Sequence, residues 1–485
     1  MTSGNLITVS YRLPYSFTAP RKKLQATPSA GGLATALTSY FSLKENAGRN
    51  SNFKSLHWLG VSDLSQATFL KVSDQEVIQK DGIHLHSLFL REGMKDKFYN
   101  GFCNSTLWPL FLYFPSFVSY EQSHYDNYIE ANHLMCEKVV QLYQPGDTIW
   151  IHDYHWMLLP GLLREALPDA SIGFFLHIPF PNFELFRLLP RTWRTALLSG
   201  LLGADVIGLQ TQEFANYLLE CMQYVFPNAI TEGNRVLLTN RSVTIDHYPI
   251  SIDFKKFNSL SKMPITQVAV KKIRKRVGQV KIILSVDRLD YTKALFSRLE
   301  SFALFLEQNG NYHEKVSYVL LMVPSRESIL KYKENKLAIE ALVSRINGQY
   351  GRFGWTPILY QYQRIDFPQL VALYGAADIA LIVSSRDGMN LVAKEYVASR
   401  SESNGVLILS ETAGSSGELT DAIQVNANDR QEIANAIVSA LQMSPAEQSR
   451  RIHRMQDHIK THDVTYWAEK LFNSIATKEQ IKFNS

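Results

Sequence analysis

The sequence predicts an α/β protein of two doubly wound, parallel-sheet domains facing each other across a cleft. Three observations carry this. Short apolar runs without polar alternation recur along the chain, as parallel strands covered by helices on both faces require. The pattern occurs once before and once after about residue 250. Ionisable residues gather where these runs end, at the carboxyl ends of strands, where open α/β sheets bind ligands.

The runs are NLITVS (5–10), DTIWI (147–151), SIGFFLHI (171–178), DVIGLQ (205–210), KIILSV (281–286), VSYVLLMV (316–323), DIALIV (378–383) and GVLILS (405–410). Each stops at a small or polar turn and is followed by a helical pattern. YPISIDFKKF (248–257) reads as a linker, which puts an N-terminal domain at 1–248 and a C-terminal domain at 249–464. The stretch after about residue 440 is helical and rich in charge. Its last part, about 465–485, can pack back on the N-terminal domain.

Composition narrows the function. A chain of 485 residues exceeds one ordinary core. Its 46% hydrophobic and 20% charged residues describe a globular protein. The net charge of +5 is small for this length, giving little support to nucleic-acid binding while suiting an anionic substrate. Cys103, Cys136 and Cys221 are widely spaced and form no CxxC pair, so neither a disulfide framework nor a zinc site is indicated. The start, MTSGNLITVSYRLP, lacks the basic flank and apolar core of a signal peptide. No apolar run approaches the roughly 20 residues that span a bilayer. The expectation is a cytoplasmic protein without nucleic-acid or membrane partners; self-association into a homo-oligomer is compatible with the sequence.

Five strand ends carry ionisable groups. WIHDYH (150–155) supplies His152, Asp153 and His155. HIPFP (177–181) supplies His177, and its prolines fix a rigid turn. VDRLDYTK (286–293) supplies Arg288 and Lys293, two cations that suit a diphosphate leaving group because its growing charge needs neutralising. VPSR (323–326) supplies Arg326. SSRDGMNLVAKEY (384–396) puts Arg386, Asp387 and Gly388 where a strand hands over to a helix. A helix start offers free N–H groups to an anion, although Asp387 could equally be an ordinary cap. The histidines and Asp153 fit a metal set, a structural hydrogen-bond cluster or a substrate site. In SAGGL (29–33), Gly31 and Gly32 would let backbone N–H groups approach a phosphate.

Taken in order, HDYH, GFFLHIPFP, DRLDYTK, RINGQYG, GWTP, RDGMNLVAKEY and LSETAGSSGEL closely resemble the trehalose-6-phosphate synthase family, from about residue 5 to about 475. That family comprises retaining glycosyltransferases with two Rossmann-like domains, the GT-B type. The resemblance implies glucosyl transfer from a nucleotide-glucose, UDP-glucose being the expected donor, to glucose 6-phosphate. The product is α,α-trehalose 6-phosphate. No cofactor or metal is implied, because protein cations stabilise the leaving diphosphate. By position, Arg288 and Lys293 would hold that diphosphate. Asp387 and the backbone of Gly388, Met389 and Asn390, followed by Leu391 and Val392, would hold the donor sugar and phosphate. Glu395 would take the ribose hydroxyls and His177 the donor glucose. The base would meet backbone near Ile365, which leaves UDP, GDP and ADP undistinguished. Asp153 would bind acceptor hydroxyls, and Arg12, Tyr99, Trp108 and Arg326 would surround the acceptor phosphate.

The chain departs from the family's pattern at Val61, where a tryptophan is common, at Ala294, where a glycine is usual, in LFSR (295–298), and at Tyr11, which turns SNR into SYR. Val61 and Tyr11 fall on the acceptor side. Two other readings share the scaffold: a pseudoglycosyltransferase joining a nucleotide-cyclitol to an aminocyclitol phosphate, and a non-catalytic regulatory subunit. A sugar-nucleotide epimerase would need a base and carboxylates placed for elimination, and the motifs contain no such set.

Overall fold

The computed structural model describes residues 4–20, 23–29, 32–46, 53–73, 75–239, 241–324 and 330–482. Gly31 and Arg326 lie outside the described residues. The chain divides into two compact units, Met1–Ile250 with Val464–Ser485, and Ser251–Asp463. The division falls inside the segment read as a linker, whose second half is the first turn of the helix Phe254–Lys262.

The first unit contains β1 (Leu6–Arg12), β2 (Tyr15–Thr18), β3 (Gln25–Pro28), β4 (Leu56–Val61), β5 (Val77–Lys80), β6 (Ile83–Leu88), β7 (Thr148–His152), β8 (Ser171–Phe175), β9 (Val206–Leu209), β10 (Ile230–Glu232), β11 (Arg235–Leu237) and β12 (Ser242–His247). Ten of them form one sheet, ordered β10-β11-β12-β9-β8-β7-β1-β4-β6-β5. From β12 to β6 the pairs are parallel, and β10, β11 and β5 finish the edges antiparallel. The chain lays β4 and β6 on one side of β1 and β7, β8 and β9 on the other. Its topological switch point therefore lies between β1 and β7.

The second unit repeats the plan with β13 (Lys281–Arg288), β14 (Val316–Val323), β15 (Ile358–Tyr362), β16 (Ile379–Ile382), β17 (Val406–Ser410) and β18 (Ile423–Val425). All pairs are parallel, in the order β15-β14-β13-β16-β17-β18. The switch point here lies between β13 and β16. Ile283, Leu320, Leu381 and Ile408 line a core on one face, and Ile282, Leu321, Ile382 and Leu409 one on the other. This two-sided burial is why the sequence shows runs without alternation.

Each of the eight apolar runs is a strand. Strands β4 and β6 escape that pattern because His57, His84 and His86 interrupt their apolar residues. β15 escapes it because it is a half-exposed edge.

The C-terminal helix Val464–Lys482 packs within the first unit against β8 and β9. Its approach is close: a Cβ on Gly173 would lie 2.6 Å from Ile475 Cδ1, and one on Gly208 would lie 3.0 Å from Leu471 Cδ1. Trp467 is fully buried, its ring 5.1 Å from Trp150 and 5.3 Å from Phe175. Truncating a buried tryptophan typically costs about 3–5 kcal/mol. Trp467→Ala is therefore expected to lower the unfolding free energy by about that amount in urea denaturation. A loss under about 1 kcal/mol would mean that this docking contributes little to the unit.

Candidate active site

Lys293 and Asp387 of the second unit meet at its switch point. Arg288 ends β13 and is exposed. The loop that follows is held from below by Asp290, which is fully buried. Its Oδ1 accepts from the Thr292 backbone N–H at 3.1 Å and hydroxyl at 2.9 Å, and its Oδ2 accepts from the Tyr332 hydroxyl at 3.0 Å. Buried Arg298 donates to the Lys293 carbonyl at 2.7 Å and to the Leu381 carbonyl of β16 at 3.2 Å, and pairs with Asp287 at 2.7 Å. Burial pushes the Asp287 carboxyl above its usual range although Arg298 opposes the shift. Asp287 and Arg298 thus form a buried framework beneath the loop that presents Lys293.

On the neighbouring strand end, the Lys293 ammonium lies 2.5 Å from Asp387 Oδ2. The same oxygen accepts from the Asn390 amide at 3.1 Å and the Ser384 hydroxyl at 3.4 Å. Asp387 is not the helix cap. Asn390, at φ 70°, caps the helix Leu391–Ala398 by accepting from the Ala393 N–H at 3.3 Å, which leaves Asp387 to pair with lysine. The segment after β17 braces this turn: Asp387 N–H donates to the Thr412 carbonyl at 3.2 Å, Gly414 N–H to the Asp387 carbonyl at 3.2 Å and Ser415 N–H to the Met389 carbonyl at 2.9 Å. A Cβ on Gly414 would sit 2.0 Å from the Gly388 carbonyl oxygen, so the close approach demands glycine.

Glu395 lies on the helix Leu391–Ala398, after Leu391 and Val392, and its Oε2 accepts from the Tyr374 hydroxyl at 2.8 Å. Burial raises its carboxyl, an effect the Tyr374 bond opposes. Ile365 stands apart, following edge strand β15 and packing half-buried against the core. Gly32 opens the helix Gly32–Asn46 of the first unit.

In the first unit a second group meets at the β1–β7 switch point. Asp153, directly after β7, has φ 76°, a left-handed value rare for a side-chain-bearing residue. Its N–H donates to the Phe175 carbonyl at 2.7 Å, its Oδ1 accepts from the His177 N–H at 3.3 Å, and its Oδ2 is 3.9 Å from His155 Nδ1. His152 Nδ1 and His177 Nε2 share a hydrogen bond of 3.1 Å. Burial pushes His177 down to about 3 and His152 well below the usual histidine range, so both are neutral at physiological pH. His152 turns toward His177 while His155 stacks on Tyr11, so the HDYH side chains diverge. Among the described residues no three His, Cys, Asp or Glu side chains are grouped to hold a metal ion.

Arg12 ends β1 and reaches the Tyr99 hydroxyl at 3.4 Å. The Tyr11 ring stacks on Tyr99 (4.1 Å, 6°) and on His155 (4.8 Å, 17°), and the Tyr99 and His155 rings are themselves 5.7 Å apart, so the three form one cluster of near-parallel rings. The Tyr11 hydroxyl is buried without a hydrogen-bond partner among the described residues. Tyr99 lies within a π-helix, Asp96–Leu107, and Trp108 directly follows it. In this wider turn Asn104 and Ser105 side chains bond the carbonyls five residues back, of Tyr99 and Asn100, at 2.7 and 2.6 Å. Long π-helices are rare and tend to mark functional segments. Trp108 is buried, 5.9 Å from Tyr154. Val61 is buried beside Arg12, Leu13, Tyr15 and Asp63, around a small hollow.

Several supporting residues had no role in the sequence analysis: Asp290 and Tyr332, Asp287 and Arg298, Thr412 and Gly414, and the π-helix. LSETAGSSGEL contained the signal for Thr412 and Gly414, but only the fold shows that this segment lies on RDG.

Two predictions follow from local energetics. Ala294, at φ 46°, occupies the left-handed region at the start of the helix Leu295–Gln308. That conformation costs an L-residue about 1–2 kcal/mol and glycine almost nothing. Ala294→Gly should accordingly raise the unfolding free energy by about 1 kcal/mol, and a destabilised variant would show that the backbone strain is not the controlling term. For His177, the unfolded chain binds a proton near pH 6.5 and the folded one only near 3. Stability is therefore complete above 6.5 and declines as pH falls toward 3, by at most about 1.4 kcal/mol per pH unit for one such histidine. Between pH 6.5 and 5, His177→Gln should show a visibly shallower decline than the parent; parallel profiles would contradict the neutral state of His177.

Comparison with known proteins agrees in extent and in fold. Residues 4–477 match the sequence profile of glycosyltransferase family 20. The chain is 41% identical over 478 residues to the bifunctional trehalose-6-phosphate synthase/phosphatase of Thermoproteus tenax, covering 98% of this chain but 64% of that protein. It is 35% identical over 487 residues to the UDP-forming α,α-trehalose-phosphate synthase of Pichia angusta, covering 98% and 99%. A crystal structure of the UDP-forming enzyme from Burkholderia xenovorans in complex with glucose-6-phosphate superposes with a TM-score of 0.86 at 31% identity, covering 98% of this chain and all of that one.

Proposed function

This chain belongs to glycosyltransferase family 20, and we propose that it transfers the glucosyl group of UDP-glucose to glucose 6-phosphate with retention, giving α,α-trehalose 6-phosphate and UDP. The observation that carries this reading is the contact between Lys293 and Asp387 at the switch point of the second unit. A cation held between two adjacent strand ends, beside a helix start, suits a diphosphate attached to a sugar.

In this reading the second unit binds the donor. Arg288 and Lys293 neutralise the departing diphosphate. Asp387 accepts from sugar hydroxyls, and the Gly388–Asn390 backbone lies along the phosphate. Tyr374 orients Glu395 toward the ribose. The first unit supplies most of the acceptor site: Arg12 and Tyr99 take its phosphate together with Arg326 of the second unit, Trp108 walls the site, and Asp153 accepts from the acceptor hydroxyls. His177, kept neutral by burial, meets the donor glucose without adding charge to an electron-poor centre. This reading assigns no pair of carboxylates to double displacement. The bond from C1 to the diphosphate oxygen breaks, a bond from C1 to the acceptor's anomeric oxygen forms on the same face, and the acceptor proton passes to the departing phosphate oxygen. The protein contributes position and charge stabilisation. The reaction needs no metal and is placed in the cytoplasm. A regulatory subunit would have no need of Lys293, Asp387 and Glu395 together. The likeness to UDP-forming trehalose-phosphate synthases favours this reading over a pseudoglycosyltransferase on the same scaffold.

The test is steady-state turnover with UDP-, GDP- and ADP-glucose against glucose 6-phosphate and glucose, in the presence of EDTA. UDP release with glucose 6-phosphate should persist under chelation, and Lys293→Ala should lower kcat by roughly 10²–10³, the usual range for one well-placed charge-stabilising donor. Near-normal turnover by a folded Lys293→Ala protein would sink the assignment of the cation. Equal use of glucose and glucose 6-phosphate would remove the phosphate role of Arg12.

A further inference from the structure

The second unit carries a surface that the transfer reaction does not use. Residues 254–286 contain nine lysines and arginines and no aspartate or glutamate. The net charge of +5 for the whole chain conceals this segment. Two of the nine, Arg274 and Lys281, pair with Asp378 at 2.8 and 3.1 Å. The other seven form no ion pair among the described residues, and six of them are lysines.

Four of the seven, Lys271, Lys272, Lys275 and Arg276, lie on one helix, Pro264–Val277. Its inner face is fixed: Thr266 is buried, Val270 abuts Gly375, and Ile273 and Val277 pack on the core. At 100° per residue the outward stripe is therefore Ile265, Val268, Lys271, Lys272 and Lys275. Ile265 is 75% exposed, Val268 52% and the preceding Met263 48%. Exposed aliphatic side chains thus cluster at one end of a helix whose other end is cationic.

We infer that this helix is a docking surface for an anionic lipid bilayer. A helix lying in the interface plane presents just this combination, apolar side chains that enter the headgroup region and lysines that meet lipid phosphates. Adsorption of this kind needs no spanning segment, and no described helix is long and apolar enough to span. The composition argues against a protein partner, because protein interfaces deplete lysine and concentrate aromatic residues. The two aromatic residues of the segment, Phe254 and Phe257, pack inward. The same lack of exposed aromatics argues against single-stranded nucleic acid, which stacks its bases on such rings.

The full-length protein would be co-sedimented with phosphatidylcholine vesicles, with and without one-third phosphatidylglycerol, over a salt series. Binding is expected to the anionic vesicles only, weakening as salt rises. Each cation near such a surface contributes about 1 kcal/mol, so K271E/K272E/K275E should reduce partitioning by roughly a hundredfold or more. Ile265→Ser with Val268→Ser should weaken binding without changing its salt dependence. Circular dichroism would confirm that these surface variants keep their fold. No binding to anionic vesicles, or equal binding by parent and charge-reversed protein, would overturn the inference. So would tighter binding to polyglutamate or to DNA than to vesicles, lost in the same variant, since it would give the surface to an acidic protein or a nucleic acid.

Discussion

A parallel sheet wound outward first to one side and then to the other has one place where adjacent connections leave on opposite faces. There the carboxyl ends of two strands stay uncovered. Each unit obeys this constraint, and its candidate chemistry lies at that place. In the first unit, Tyr11 and Arg12 end β1 while Asp153 and His155 follow its neighbour β7. In the second, Lys293 follows β13 and Asp387 follows its neighbour β16. The Lys293–Asp387 contact is the direct product of that adjacency.

Holding two loops from distant parts of the chain in register requires buried polar groups. Asp290, Asp287 and Arg298 lie under the Lys293 loop, and Arg298 bridges from that loop to the end of strand β16 through the Lys293 and Leu381 carbonyls. Further out, buried Lys394 from the helix after RDG pairs with Glu418 at 2.7 Å, and His458 meets the same carboxylate at 3.2 Å. Buried ion pairs add little net stability over apolar packing, but breaking one leaves a charge stranded at about 3–5 kcal/mol. Their effect here is geometric: they allow one arrangement of the strand ends and penalise the others.

Backbone strain marks the same places. Asp153, Ala294 and Asn390 are all left-handed, each at a loop that leaves a strand end. Glycine would sit there more easily, but Asp153 and Asn390 use their side chains, one to accept from His177 and the other to cap a helix while bonding Asp387. Ala294 makes no such polar contact; its methyl group packs against the apolar core of the second unit, a contact that glycine would lack. The π-helix Asp96–Leu107 serves a related end by placing Tyr99 against Tyr11 and Arg12.

The sequence by itself determined the α/β class, the eight buried strands and the strand-end motifs, because two-sided burial and turn chemistry are local and leave periodic traces. It also pointed to Arg288, Lys293, Asp153 and the RDG turn through position alone. It did not reveal β4, β6 or β15, whose histidines and half-exposed faces blur the period. It left open whether Asp387 is an ordinary helix cap or belongs to a helix start that binds an anion. Only the tertiary structure decided that Asn390 is the cap, that Asp387 holds Lys293, that His152 and His155 turn apart, and that Tyr11 clusters with Tyr99 and His155. It also put four exposed cations beside bare aliphatic side chains on a single helix. Each of these depends on which strands become neighbours or which helical face is covered, and those are set by packing between segments far apart in the chain.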